Sequence, residues 1–382
     1  MSSIQTDGSP SGDDLSRSGQ RILAIDALRG FDMFWIVGGR TLAMWLTRVF
    51  ADPVPDGIRY HLGHPAWIGF SAWDLIMPLF LFVVGAAMPF SVSRRIESGE
   101  PKSKLYAKII RRVVVLFVLG MAYQGNLLDF DLSTLQLYCN TLQAIAAGYL
   151  IAGIVILNLR VVGQLGVLAA LLVVYWMLMM FVPFGGHPAG TLEPDANVAL
   201  AVDDLILRNF GDGISYTWIL SSLGFGATTL LGVQAGNLLR SGLSPVAKVL
   251  RLVAWGVGCL AAGWIWGNYL GFPLIKHIWT SSMVLWAAGW SYLLLALFYG
   301  LIDILGYRRW AFPFIVIGAN AITAYMAARF IPFDIISENL LGGLARFVGS
   351  PWDQVLLSLG ALSILWIALF YMYRKKTFVR IG

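Results

Sequence analysis

Charge is scarce in this sequence. Asp, Glu, Lys and Arg make up 13% of its 382 residues, against about 25% in a soluble globular domain. That shortage excludes a soluble enzyme, a nucleic-acid module and an intrinsically disordered chain. Cysteine is nearly absent: Cys139 and Cys259, each inside an apolar run, supply neither a disulfide framework nor metal-ligand spacing. Histidine is limited to His61, His64, His187 and His277. None falls in an HxxxH or HExxH pattern, so no metal is expected. What remains is hydrophobic. Apolar residues make up 58% and aromatics 13%, with 15 Trp, and the mean hydropathy is +0.72. Transmembrane helices flanked by aromatic belts explain such a composition.

Residues 1–20, rich in Ser, Gly and Asp, read as a disordered polar cytoplasmic tail. Residues 21–382 read as a single polytopic membrane domain. The first apolar run is interrupted by Asp26, Arg29, Asp32 and Arg40, which argues against a cleaved signal peptide. With about 20 apolar residues per crossing, the hydropathy predicts ten spans, at 22–47, 66–92, 109–125, 138–158, 161–183, 215–238, 249–270, 279–302, 311–332 and 353–373. The expectation is an all-α integral membrane protein, a bundle of about ten transmembrane helices with both termini cytoplasmic. The basic residues support that orientation. Of the 27 Lys and Arg, only Arg40, Arg48, Arg59, Arg208, Lys276, Arg329 and Arg346 fall on the other side. The longest connection, 184–214, is polar and acidic and is expected to be extracytoplasmic.

Charge inside a span costs about 2.5–3.5 kcal/mol per residue on insertion scales, so the exceptions point to chemistry. Asp26, Arg29 and Asp32 recur at intervals of three in the first span, and Arg29 can pair with either carboxylate. A salt-bridge lock and a ligand role both fit. In the second span His64, Trp67, Ser71, Asp74 and Pro78 are spaced 3, 4, 3 and 4, which predicts one polar helical stripe. On a regular helix Asp74 would lie about 15 Å deeper than His64, too far for a direct hydrogen bond. Asp74 would then meet Arg29 or Arg40, or a substrate amine. His64 is the best candidate for proton chemistry, because imidazole titrates nearest to neutrality; an interfacial histidine without a role is the alternative. Asn140, Gln143, Gln234, Asn268, Lys276, His277 and Asn320 are further polar residues in apolar surroundings. Each alone is more often an interhelical hydrogen bond, and together they can furnish a polar cavity. The basic loop 94–112 either reflects the positive-inside bias or attracts the phosphates of a nucleotide or coenzyme A.

The segments RILAIDALRGFDMFWIVGG and GHPAWIGFSAWDLIMPLFLFVVGAAM resemble the heparan-α-glucosaminide N-acetyltransferase family, which includes bacterial NagX-like transmembrane acyltransferases. CNTLQAIAAGYL, GVQAGNLLR, LGFPLIKHIWTSS and GANAITAY extend the likeness over most of residues 21–330. The His-Pro-Ala-Trp to Asp-Leu block is the most specific part, and the last span is matched by hydropathy alone. The large luminal domain of the lysosomal enzyme has no counterpart before residue 21, so glycan-chain recognition is not expected to carry over. The resemblance implies acetyl transfer from cytoplasmic acetyl-CoA, with no metal, to the amine of a glucosamine-type sugar or glycan on the other side. It makes His64 and Asp74 the catalytic candidates. Trp67, Asn140, Lys276 and Asn320 become candidates for the acceptor, and Arg29, Asp32, Arg111 and Arg112 for the coenzyme. The expected surroundings are lipid, in the bacterial inner (plasma) membrane, with no nucleic-acid partner; a homodimer stays open.

Because an ammonium is not nucleophilic, a base must take its proton before the thioester is attacked. His64 can do so in a ternary complex, or it can carry the acetyl group itself. Two other readings remain: an O-acyltransferase of a surface polysaccharide and an amino-sugar transporter. A transporter would call for paired broken helices in matching halves, and no such pairing is visible in the sequence.

Overall fold

The computed structural model describes residues 22–213 and 215–378; the expected tail, 1–20, lies outside them. The regular structure of the described residues is almost entirely helical. Helix α1 (Leu23–Phe34) passes through a π turn (Trp35–Gly39) into α2 (Arg40–Phe50), and α3 (Asp56–His61) is short. Helix α4 (Ile76–Met88) is entered through a 3-10 turn (Trp73–Leu75) and leaves through a second π turn into α5 (Arg94–Glu97). Then come α6 (Lys102–Tyr123), α7 (Thr141–Asn158) and α8 (Val161–Phe181). The acidic connection is not irregular throughout. It holds an antiparallel two-residue ribbon, β1 (Leu192–Glu193) with β2 (Ala196–Asn197), and α9 (Val198–Leu207), which Asn197 caps by accepting from the Leu200 N–H at 2.8 Å. The rest is α10 (Ser222–Arg240), α11 (Pro245–Tyr269), α12 (Ser281–Phe298), α13 (Phe312–Ala319), α14 (Ala321–Phe330), α15 (Phe333–Val348) and α16 (Trp352–Arg374).

Among the described residues six helices are long and apolar enough to cross a membrane, or seven if α13 and α14, bent by 79°, form one span. The chain is thus an integral, multi-pass, all-α membrane protein. Helical residues occur within all ten segments drawn from hydropathy, but those of the first, third and sixth fall short on length or apolarity. Three starts move by seven residues, the sixth from 215 to Ser222 among them. Helix α6 begins at Lys102 rather than 109, and the second span begins at Trp73 rather than 66.

Glycines set the centre of the bundle. Helices α4 and α10 cross backbone to backbone: a Cβ on Gly85 would stand 2.0 Å from the Thr229 carbonyl oxygen, and one on Gly232 would stand 1.9 Å from that of Phe82. Small residues permit such approach where lipid offers helices no hydrophobic drive to associate. Helices α4, α7 and α10 are mostly buried, whereas α8, α11 and α16 present apolar side chains such as Val162, Trp264 and Ile367 outward, as lipid-facing helices do. The start of α1 is held by Asp303, at the end of the π turn that follows α12. Its carboxylate accepts the Leu23 and Ala24 N–H groups at 3.2 and 3.0 Å, where a helix N-terminus favours negative charge.

Gly232→Ala should therefore destabilise the bundle by about 1–3 kcal/mol, the usual cost of overpacking. The thermal transition in detergent should fall. Gly258→Ala on α11, where an added methyl meets nothing, is the control. Equal behaviour of the two variants would contradict the close crossing of α4 and α10.

Candidate active site

The segment 62–72 is not helical, contrary to the polar stripe expected at 64, 67, 71, 74 and 78. Pro65 follows His64, Gly69 adopts φ 138°, and the Gly69 N–H donates to the Leu274 carbonyl at 2.9 Å. An isolated bridge joins Ile68 to Ile275. The segment is thereby laid on the loop 270–280 instead of extending α4. Ser71 and Asp74 close the helix start reciprocally. The Ser71 N–H and Oγ donate to Asp74 Oδ2 at 3.0 and 3.1 Å, and the Asp74 N–H donates to Ser71 Oγ at 3.2 Å. This is a capping-box arrangement with Asp in the acidic position. The Ser71 hydroxyl also reaches the Gly63 carbonyl at 2.6 Å, which folds the chain back on itself.

That reversal brings His64 onto Asp74. His64 Nδ1 lies 2.5 Å from Asp74 Oδ1, which overturns the separation expected from a regular helix. Asp74 is 2% exposed, while the His64 side chain is 39% exposed. Nor does Asp74 meet Arg29 or Arg40. Its second charged neighbour is Lys276, whose Nζ stands 3.4 Å from Oδ1. Arg40 lies over the Trp73 ring at 5.2 Å and donates to the Leu62 carbonyl. Arg29 pairs with Asp26 at 3.5 Å. The expected choice between carboxylates for Arg29 is thus resolved toward Asp26. Asp32 is fully buried, and neither of its oxygens has a hydrogen-bond partner among the described residues.

The same loop carries His277, stacked on Trp67 (ring centroids 5.2 Å apart) and met by the tilted ring of Tyr216 (4.2 Å). Trp67 is occupied on its other side, its indole N–H donating to the Leu192 carbonyl at 2.7 Å and tying β1 to the site. Burial, then the charges of Lys276 and His64, push the His277 imidazole down to about 4. Burial also pulls the Lys276 ammonium below its ordinary value, with Asp74 and Asp32 opposing. Burial lifts the Tyr216 hydroxyl to about 12, aided by the charge of Asp74. Beyond Tyr216 opens a cavity of about 370 Å³ lined by Asp195, Asp203, Asp204, Asp212 and Trp218. Asp203 shapes its wall by accepting the Trp218 and Ile219 N–H groups at 2.6 and 2.9 Å.

The remaining candidates lie apart. Asn140 caps α7 in a box with Gln143 and donates to Gln124 and Tyr325, each at 3.3 Å. Asn320 sits in the break between α13 and α14 and donates to the Thr377 carbonyl at 3.4 Å. Arg112 lies over the Tyr149 ring at 4.4 Å, and its Nε is buried without a hydrogen-bond partner among the described residues. With Arg95, Lys108 and Ser91 it lines a second cleft, of about 70 Å³, at the α5 end of the helix that starts with Asp74. Arg111 is exposed and does not line that cleft. In the sequence His277 stands out only as a polar residue, and no local signal marks Tyr216. The Ser71 cap is legible as S-x-x-D immediately before an apolar run.

The fold is thus that of a multi-pass helical membrane protein with a His–Asp–Lys cluster where two loops meet at one end of the bundle. A family model described as a domain of unknown function, DUF5009, matches residues 21–126. The chain is also similar to the heparan-alpha-glucosaminide N-acetyltransferases of Mus musculus and Homo sapiens. Identity is 24% over 428 aligned positions for the first and 22% over 426 for the second, covering 95% and 96% of this chain. The chain spans 61% of the length of each.

The buried neutral His277 gives a pH test. Its folded value lies below the 6.5 of the free ring, so between the two the unfolded chain binds the extra proton. The stability this ring contributes is complete above pH 6.5 and is lost as pH falls toward 4. The melting temperature should decline over that window, and His277→Phe should flatten that part of the profile. An unchanged profile in the variant would show that the ring is not buried as described.

Proposed function

We propose that the protein transfers an acetyl group from coenzyme A, bound at one membrane face, to the amine of a glucosamine-type sugar arriving at the other. The observation that carries this reading is the His64–Asp74 pair. Asp74, fixed by Ser71 and Lys276, accepts from Nδ1–H and so leaves the lone pair on Nε2, with the ring partly open to solvent. A carboxylate that sets the tautomer of a histidine in this way makes its far nitrogen a base. The likeness to the N-acetyltransferases supports the reading. The carboxylates of the 370 Å³ cavity suit an acceptor that arrives as an ammonium.

In this reading the basic cleft holds the coenzyme's phosphates. The unpartnered Arg112 Nε, with Lys108 and Arg95, offers donors to them, and about 70 Å³ is room for a phosphate group rather than the whole coenzyme. From Asp74 to Ser91 is 17 residues, about 26 Å along a helix, so the acyl chain must run inward beside α4 to reach His64. The amine, having shed one proton to solvent, attacks the thioester carbon. His64 Nε2 takes the second proton as the C–N bond forms, and the C–S bond then breaks. The same Nε2 would be the acyl carrier in a two-step route, and an acetyl-histidine trapped without sugar would distinguish that route.

His64→Ala should lower transfer from acetyl-CoA to glucosamine by about 10²–10⁴-fold, the range for a positioned base, while the protein still inserts, with a melting temperature lowered because the buried Asp74 loses a partner. His61→Ala, which removes an exposed ring accepting only from the Ala72 N–H, should leave the rate unchanged. Near-native activity in His64→Ala would overturn the reading. The 79° break between α13 and α14 resembles the discontinuous helices of transporters and sustains transport as a second reading. Uptake of labelled glucosamine into vesicles lacking acetyl-CoA would favour it.

Sidedness rests on the basic residues: loop 94–112 inside, the acidic connection outside. A cysteine replacing exposed Ala189 should react with an impermeant maleimide on intact cells, and one replacing exposed Ser98 only after permeabilisation. The reverse pattern would invert the proposed orientation.

A further inference from the structure

We infer that Asp32 is the proton donor to the departing thiol, an inference that rests on the acyl-transfer reading above. Asp32 lies nine residues into α1, about 14 Å from its start. It is wholly enclosed, and neither carboxylate oxygen has a hydrogen-bond partner among the described residues. The charge of Lys276 acts on it electrostatically, and Lys276 in turn contacts Asp74 at 3.4 Å. His64, Asp74, Lys276 and Asp32 therefore form a series from the partly open mouth into the bundle. A buried polar group left unpaired costs roughly 1–3 kcal/mol on mutational scales, and an unpaired buried charge far more. A leucine or a well-bonded asparagine would serve packing better, so the orphaned carboxyl calls for a function.

Acyl transfer supplies one. A coenzyme entering from the face opposite His64 places its sulfur on the inner side of the thioester carbon. His64 then addresses the amine and Asp32 the sulfur. As the C–N bond forms, His64 takes a proton from nitrogen. As the C–S bond breaks, the electron pair goes to sulfur, which receives the proton of the neutral Asp32 carboxyl instead of remaining a bare thiolate in a dry site. The products are the N-acetyl sugar and the free thiol. Protonated His64 and ionised Asp32 then face each other across Lys276 and Asp74, so the cluster gains no net charge. Return of that proton to Asp32 resets the site.

The test compares two acetyl donors with full-length protein in nanodiscs and glucosamine as acceptor: acetyl-CoA and 4-nitrothiophenyl acetate, whose thiolate is stable without a proton. Asp32→Asn should lower the rate with acetyl-CoA by about 10²-fold or more and with the nitrothiophenyl ester by less than about threefold, as general-acid behaviour requires. Asp32→Glu should recover part of the loss. Equal losses with both donors would overturn the inference and assign Asp32 to the carbonyl oxygen or to packing. If Asp32→Asn does not fold, the native protein decides. A solvent deuterium effect larger with acetyl-CoA than with the activated ester, where only the proton transfer to His64 remains, supports the donor role, and equal effects overturn it. Failure of the native protein to acetylate glucosamine would instead reject acyl transfer itself, and Asp32 with it.

Discussion

The Asp74 carboxylate is the constraint on which the site depends. It caps the 3-10 entry to α4 through Ser71, anchors His64 and meets the Lys276 ammonium. One side chain thus closes a helix end, orients the His64 imidazole and joins two loops that are far apart in sequence. Placing an ion at such depth is tolerable only when its lone pairs are answered, and Asp74 has the His64 ring, the Ser71 N–H and the Lys276 ammonium around its oxygens, with the Ser71 hydroxyl shared between Asp74 and the Gly63 carbonyl. Removing any of them would leave the carboxylate under-satisfied, so the cap and His64 cannot vary independently. This coupling explains why a helix that hydropathy alone would extend outward stops at Trp73. The backbone before it is needed to carry His64 back over the helix end.

The glycine crossings serve the same end by a different force. With Gly85 and Gly232 in contact with the facing carbonyls, α4 and α10 are fixed by backbone shape rather than by adaptable side chains. Helix α4 bears Asp74 at one terminus and runs toward the cleft of Arg95, Lys108 and Arg112 at the other. A helix held so closely acts as a ruler between the two ends. Peripheral α8, α11 and α16, which meet lipid, carry none of the candidate catalytic groups.

Hydropathy made the helical membrane architecture legible, because a lipid-crossing segment must satisfy its backbone internally and clothe it in apolar side chains. Helices α7, α8, α12 and α16 fall within a few residues of the expected segments. The local geometry of the site was not legible in the same way. Spacings of 3, 4, 3 and 4 from His64 to Pro78 imitate a helical face. Yet Pro65, Gly69 and the Ser71–Asp74 cap were signals for a turn, and these local signals prevail over periodicity. The contact of Lys276 with Asp74 depends on tertiary packing that no window of sequence contains. Asn140 illustrates a related point: a buried polar residue at the start of an apolar run is as readily a helix cap as a ligand, and here its oxygen accepts from the Leu142 N–H.

The balance of charge in the cluster bears on how acyl transfer could proceed without water. In a low-dielectric interior a single unmatched charge is costly, while a proton exchanged between two members of a cluster leaves the total unchanged. Asp74 and Lys276 form a matched pair that need not titrate. That leaves His64 at the open end and Asp32 at the closed end as the groups whose protonation can alternate. A reaction that removes a proton from nitrogen at one end and adds one to sulfur at the other is the kind of event such a pair can accompany. Its two proton sites straddle a fixed ion pair, and its net charge is the same before and after the bond is made.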